Sequence, residues 1–493
     1  MSNPLRIIAI DLGTSRVKVG LVDETLTTIA TSSHTYPTLT VEPGMAEQRP
    51  QDWLNGIRAS VSAIFAAVPA QRIDAIVLTA QMPTLVTLDA TGASIGNAIT
   101  WQDSRADAFV EDMLDHGARR RVHEIAGTPI DGRYIIPMHL RRGAAPPHAT
   151  ATLLSAKDFL YFALTSELVT DPSTASGYGN FDLAARGWSD ELNELWGIDA
   201  KLLPRIVDSH RSAALNDAGA ALLPGVPPGT PVVVGAADSV CAHHFITTLF
   251  EGSLSVIDGS STVIMATVHD GATLGGEVLV TPLVDALQRG AEMDLLATGS
   301  SIAWLAQLLA LTPAQLEDLA LSNPRRVENE TMFLPYLAGG EQGVIWRSDI
   351  SGSIDGLSLS TSREDLALAL FEGIAIETVR CIELLERSQR IERVVSVAGP
   401  QSRHLGASLL GSLLEVPVLA LAQQSPSLLG AALVAIEQLG GEEMVENFNA
   451  SSILGSLPLL EPEYHGALAH KAGRYRAVAA QSGEPLNTRR GDE

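Results

Sequence analysis

Two short turns in this chain carry the residue types that hold phosphate. The first is Asp11-Leu12-Gly13-Thr14-Ser15, between the apolar runs 6–10 and 17–22. The second is Asp258-Gly259-Ser260-Ser261, between the apolar runs 253–257 and 262–268. A Gly/Thr/Ser turn between strands gathers backbone N–H groups and hydroxyls at one point, and glycine lets the peptide approach without a Cβ. One such turn alone is also what an ordinary hairpin looks like. Two of them, each opening one half of the chain, suit a polyphosphate gripped from both sides. Asp11 would repel phosphate unless a cation intervened, which makes it a candidate Mg²⁺ partner through water. A hairpin-capping Asx turn is the other reading. Lys18, at strand spacing, can aim at phosphate or at solvent.

Asp238 is the third candidate. It follows the apolar run 231–235 and precedes a helical pattern, SVCAHHFITTLF. Ligands of α/β proteins bind at the carboxyl ends of strands, and a helix N-terminus favours the ionised carboxylate. Asp238 can therefore take a proton from an attacking hydroxyl, or simply cap its helix. Trp101 stands at the end of another strand-like run. A lone Trp there is more often a core or edge plug than a sugar-stacking face. Cys241, His243 and His244 lack a second ligand pair, so they read as ordinary helix side chains.

Strands and helices alternate throughout the chain. Residues 51–70 place Trp53, Leu54, Ile57, Val61 and Ile64 at helical spacings. Residues 73–79 form a β-branched strand, and strand-like LVTLD and NAITW follow. A helix is expected at 155–164, with further helices at 300–310, 363–389 and 403–415 and a strand at 394–398. The Ser/Gly-rich stretch 171–180 reads as a surface Ω-loop. This alternation predicts α/β architecture. The repeated hairpin predicts two related lobes, 1–245 and 246–493.

The chain has 493 residues, 46% of them hydrophobic and 18% charged, which is ample for large buried cores. The net charge of −24 and the lack of a basic face argue against nucleic-acid binding. The one dense basic run, Arg119-Arg120-Arg121, reads as a solvated helix end. Two distant cysteines make no disulfide framework. No apolar run approaches the ~20 residues of a membrane helix, and no signal peptide opens the sequence, so a cytoplasmic protein is expected.

The ordered motifs AIDLGTSRVKVGLVD, MAEQRPQDW, ITWQDSRA, KDFLYFALTSELVTDPSTASG, VVVGAADSVCA, IDGSSTVIM, FLPYLAGGE and SLLGAALVA carry a resemblance. Over about residues 5–440 the chain resembles the FGGY family of carbohydrate kinases, in the actin-like ATPase superfamily. Its middle stretch is most similar to xylulose kinases. The resemblance implies two actin-like, ribonuclease H-like lobes of mixed sheets flanked by helices, with a ligand cleft between them. It implies ATP and Mg²⁺ as cofactors and a small sugar or polyol as partner, and it allows a homodimer. The first lobe would bind the sugar and the second the nucleotide.

Residue by residue, the resemblance puts Gly13, Thr14, Ser15 and Lys18 at the first phosphate hairpin and Gly259, Ser260 and Ser261 at the second. Gly399 would meet the adenosine. Asp11 and Asp238 would attend the metal, with Asp238 also the catalytic base. Gln81, Met82, Trp101, Asp103, Tyr134 and Asp238 would border the sugar. Three departures stand out. The usual Gly-Gly-Gly-Ala reads Ala398-Gly399-Pro400-Gln401, and proline removes a backbone donor. The usual G-E-R-x-P reads Gly340-Glu341-Gln342-Gly343-Val344. The Met-His-Gly of xylulose kinases reads Met82-Pro83-Thr84, without an imidazole for a sugar hydroxyl. A ketopentose such as D-xylulose is the expected acceptor. A polyol, another ketose or a sugar acid is the nearest alternative, and a sugar-responsive non-catalytic binder or an actin-like polymerising ATPase lies further off.

Overall fold

A computed structural model describes residues 4–68, 72–142, 150–268, 274–275, 278–285, 287–338, 343–346, 350–387, 390–399, 402–422, 425–440, 448 and 450–482. The chain forms two compact units. The first comprises Met1–Thr248 with Leu279–Arg289 and Ser425–Phe448; the second comprises Leu249–Val278, Gly290–Gln424 and Asn449–Glu493.

The first unit is built on a six-stranded mixed sheet. In chain order its strands are β1 (Arg6–Leu12), β2 (Arg16–Asp23), β3 (Thr28–Thr35), β4 (Ala75–Ala80), β5 (Ser212–Ala214) and β6 (Pro231–Ala237). They lie in the order β5-β6-β4-β1-β2-β3. Strands β6, β4 and β1 run parallel. They read as continuous apolar runs because helices cover both faces of the sheet; every residue of β4 is buried. Strand β3 lies at the edge and carries Thr, Ser and His, most of them exposed.

The helix Pro50–Ala67 starts with proline at its first turn and buries Trp53, Ile57, Val61 and Ile64. These pack with Ile8, Ile10, Val17 and Val19 in the core of the unit. Helix Pro426–Gln438 returns from the far end of the sequence and belongs to this unit. It packs so closely that a Cβ on Gly430 would sit 1.7 Å from the carbonyl oxygen of Cys241.

The second unit repeats the plan. Its strands Arg289–Leu295, Thr262–Val268, Ser253–Asp258, Arg393–Val397 and Val418–Leu421 are neighbours in that order. Ser253–Asp258 is antiparallel to Thr262–Val268 and parallel to Arg393–Val397. The long helix Arg363–Glu386 opens with a capping box from Ser362 and Asp365. Its buried residues share a core with Leu254, Val256 and Val394. Tyr464 and Lys471, on the last described helix, both bond the buried Glu372.

Two sequence expectations change. Residues 171–180 are not a surface loop: Pro172–Ser176 is helical, capped by Asp171, and the whole stretch is buried. Its small residues suit close approach as well as they suit a turn. Arg119–Arg121 lie inside helix His116–Ala126 rather than at its end. Arg121 grips Glu191 at the surface, while Arg119 bonds the carbonyls of Leu114, Val110 and Ile130. The C-terminal residues 483–493 and most of the expected 141–151 loop lie outside the described residues. Among those described, no helix is long and apolar enough to cross a membrane.

Candidate functional site

The register of β1, β4 and β6 builds one edge of the site. Leu12 pairs with Ala80, and Ala80 pairs with Ala237. The next residues, Gly13, Gln81 and Asp238, therefore leave the sheet side by side at its C-terminal edge, with neighbouring strands about 4.8 Å apart. The Gln81 amide donates to the Leu12 carbonyl at 2.8 Å. Asp238 opens helix Asp238–Leu249, and its Oδ1 accepts from the Ser239 amide at 2.9 Å.

The first hairpin closes with the Gly13 amide donating to the Arg16 carbonyl at 3.1 Å. Asp11 and Lys18 face each other across it. Both meet the start of helix Pro426–Gln438: Ser427 Oγ donates to Asp11 Oδ2 at 2.7 Å, and Lys18 Nζ donates to Ser425 Oγ at 3.2 Å. Burial pushes the Asp11 carboxyl above its usual range, against the pull of Lys18 and the Ser427 hydroxyl.

A polar network ties this hairpin to the segment after β4. Gln48 Nε2 donates to the Thr14 carbonyl at 2.6 Å, and Gln48 Oε1 accepts from Gln81 Nε2 at 3.0 Å and from Trp53 Nε1 at 3.1 Å. Trp101 Nε1 donates to Thr14 Oγ1 at 3.1 Å. Gln81 is buried, and its Oε1 has no hydrogen-bond partner among the described residues. Such an atom is costly unless a ligand or water meets it.

The remaining sugar-side candidates divide. Met82 packs at Gly177, where a Cβ would stand 2.7 Å from Met82 Cε. Tyr134 is buried two residues further along the same segment, against Gly179. Asp103 is buried and occupied: Oδ2 accepts from the Ala46 amide at 2.7 Å, and both oxygens accept from Arg105, which also holds Glu47. In this geometry it braces the turn before Gln48.

In the second unit, Gly259-Ser260-Ser261 form the expected hairpin turn, closed by the Gly259 amide on the Ser261 carbonyl at 2.8 Å. Ser300 at the start of helix Gly299–Leu308 donates to the Ser260 carbonyl through its amide and its hydroxyl, each at 3.1 Å. Ile257 pairs with Val397, so this hairpin and the exposed Gly399 leave adjacent strands at the same edge. Pro400, Gln401, Gly340, Glu341 and Gln342 lie outside the described residues.

Sequence reasoning did not single out four residues that the structure places here. Gln48 and Ser427 stood inside quoted motifs, as did Ser173, but nothing local marked them as partners of Thr14, Asp11 and Ala237. Asp258 stood in the second turn. It is half-buried, accepts from Thr262 Oγ1 at 2.7 Å, and desolvation pushes its carboxyl up to about 6.

Residues 6–244 match the N-terminal domain of the FGGY family of carbohydrate kinases, and residues 254–438 match its C-terminal domain. The chain belongs to that family, whose members are phosphotransferases acting on sugar hydroxyls. Among individual proteins, it is 27% identical over 455 residues to a xylulose kinase of Bacillus subtilis, covering 89% of each chain. It is 23% identical over 471 residues to a gluconokinase of the same organism, covering 91% of this chain and 90% of that one. A ligand-bound xylulose kinase from Lactobacillus acidophilus shares the fold with a TM-score of 0.85 at 23% identity, covering 97% of this chain and 98% of that one.

Proposed function

We propose that this protein transfers the terminal phosphoryl group of ATP to a hydroxyl of a small sugar, with a ketopentose such as D-xylulose as acceptor and Asp238 as general base. The observation that carries the reading is the row of Gly13, Gln81 and Asp238 at the ends of three adjacent strands. It sets a phosphate-type turn, an amide whose oxygen has no partner among the described residues and a carboxylate side by side.

In this reading the first unit binds the acceptor. Gln81, Met82, Trp101 and Tyr134 border it, and Asp103 acts by holding the turn that carries Gln48. Asp238 takes the proton of the attacking hydroxyl, help worth about 10²–10⁴-fold. Gly13, Thr14, Ser15 and Lys18 serve the phosphates from the first unit. Gly259, Ser260, Ser261 and Gly399 serve the nucleotide from the second.

The residues fit Mg²⁺. Burial pushes the Asp11 carboxyl up, and a nearby cation would favour its ionised form. Mg²⁺ needs only one or two carboxylates beside water and phosphate oxygens. Asp11 and Asp238 would hold it, and it would neutralise charge on the phosphates. Most of the catalysis would then be positioning and electrostatics supplied by backbone N–H groups and hydroxyls.

A sugar acid or a polyol is the second reading. It is favoured by the similarity to a gluconokinase and by Pro83, which stands where the resemblance to xylulose kinases puts a histidine for a sugar hydroxyl. The test is ADP release from Mg²⁺-ATP across ketopentoses, pentitols, tetritols, glycerol and sugar acids, with Asp238→Asn in parallel. Turnover on D-xylulose that is lost in the variant is the expected result. Preference for gluconate or a polyol would replace the acceptor. Full turnover by Asp238→Asn would sink the base assignment.

A further inference from the structure

We infer that Ser173, held by Asp171 and the buried Lys157, is a positioning residue that aims Asp238. The inference rests on the reading of Asp238 as the base.

Strand β6 does not run straight into Asp238. Val233 pairs with Val77, but Ala236 pairs with Thr79, so β6 spends one extra residue against β4. This is a β-bulge, the device that re-aims a strand end. Gly235 sits in it at a φ of 70°, where a Cβ would stand 1.8 Å from the Leu78 carbonyl oxygen, so only glycine fits.

A bulge takes backbone groups out of the ladder, and buried backbone groups need partners. Here side chains and a neighbouring loop supply them. The Val234 and Gly235 amides donate to the Arg211 and Ser209 carbonyls, each at 2.9 Å. Lys157 Nζ lies 3.4 Å from the Val234 carbonyl oxygen. Thr79 Oγ1 donates to the Ala236 carbonyl at 2.8 Å. The Ala237 amide donates to Ser173 Oγ at 2.9 Å. That last bond fixes the orientation of the residue immediately before Asp238.

Ser173 is itself fixed. Its hydroxyl and its amide both donate to Asp171 Oδ2, the amide at 2.9 Å. Asp171 Oδ1 lies 3.1 Å from Lys157 Nζ, which also contacts Asp158 Oδ1 at 3.2 Å. Tyr178 donates to Asp158 Oδ2 at 3.3 Å. Lys157, Asp158, Asp171 and Ser173 are all buried at 1% exposure or less. One lysine between two carboxylates inside a core is an expensive arrangement to keep. It makes sense where it fixes a direction rather than where it merely fills space. Because the Ser173 hydroxyl proton goes to Asp171, its oxygen is left to accept from Ala237. The network thus sets donor and acceptor roles as well as distance. A misplacement of about 1 Å can cost on the order of 10²-fold in rate.

The test compares Ser173→Ala, Asp171→Asn and Asp238→Asn with the unaltered full-length protein at 25 °C. The readouts are steady-state kinetics on the best acceptor of the panel above and amide hydrogen exchange of the peptide spanning 236–240. We expect faster exchange in that peptide for Ser173→Ala. We also expect kcat to fall about 10-fold or more, with KM for ATP and for acceptor changing less than about threefold. Asp171→Asn, which keeps the shape but disturbs the hydroxyl's orientation, should fall in the same direction. A Ser173→Ala protein within twofold of normal kcat, beside an inactive Asp238→Asn, overturns the positioning role and leaves the base assignment intact. An Asp238→Asn protein with normal turnover removes the base assignment and this inference with it. Loss of heat stability in Ser173→Ala without loss of kcat per folded molecule also overturns it, since that is the signature of a purely structural bond.

Discussion

Trp101 donates its indole N–H to the hydroxyl of Thr14 across 3.1 Å. Two residues far apart in sequence, one expected beside the sugar and one in the first phosphate turn, are thereby one hydrogen-bonded unit. Trp101→Phe keeps the ring and removes the donor. A neutral hydrogen bond contributes about 0.5–1.5 kcal/mol, so KM should rise roughly 2–10-fold for acceptor and for ATP together. Steady-state titration of each substrate checks this. A change confined to the acceptor would mean that the Thr14 contact transmits nothing.

Gln48 should matter more to stability than its motif suggests. It is buried and bonds Thr14, Thr38, Trp53 and Gln81. Gln48→Leu leaves several buried groups unpaired, at roughly 1–3 kcal/mol each. We expect a loss of about 3 kcal/mol and a Tm lower by ~6–12 °C for a unit of this size. Calorimetry measures it directly, and an unchanged Tm would show that the network is dispensable.

Gly235→Ala should be among the most damaging single-methyl additions in the chain. The new Cβ meets the Leu78 carbonyl at 1.8 Å and the backbone is left-handed there. Backbone cannot yield as a flexible side chain would, so a cost above about 3 kcal/mol is expected. Denaturant unfolding checks the stability, and the soluble fraction should also lose turnover because the bulge leads into Asp238.

The far end of helix Pro426–Gln438 carries a pH-dependent clamp. Glu437 accepts from His244 at 2.8 Å and from His210 at 3.0 Å, and His210 also meets Asp208 at 3.1 Å. Burial works to raise the Glu437 carboxyl, but the two histidines outweigh it and bring it down to about 2 from 4.5. The Glu437 hydrogen bond raises His210 above 6.5, against burial. A depressed carboxyl stabilises above its unfolded value and loses that as pH falls through the folded one. A raised histidine stabilises below its unfolded value and loses that as pH rises through the folded one. The clamp is therefore at full strength between about pH 4.5 and 6.5. Glu437→Gln should cost roughly 1–3 kcal/mol in that window for a partly exposed cluster, and less above and below it. Denaturant midpoints from pH 3 to 9 test the shape; a cost independent of pH would reject it.

The sequence alone determined the repeating strand-and-helix plan, the two hairpins and Asp238 at a strand-to-helix junction. Those are local properties: apolar periodicity, Gly/Thr/Ser turns and a carboxylate beside a helix start are all written within a few residues. Stretch 171–180 shows where local reading stops. Its Ser, Gly and Pro are turn formers, yet they also pack closely, and only tertiary contact with Met82, Tyr134 and Ala237 turned the segment into buried wall and brace. The same holds for Ser427 on Asp11 and for Gln48 between Thr14 and Gln81. Those bonds join residues tens or hundreds of positions apart, so no spacing rule announces them. Register decided the rest. A single extra residue in β6 sets where Asp238 leaves the sheet, and a neighbouring strand, a nearby loop, a buried lysine and a serine receive the backbone of that bulge.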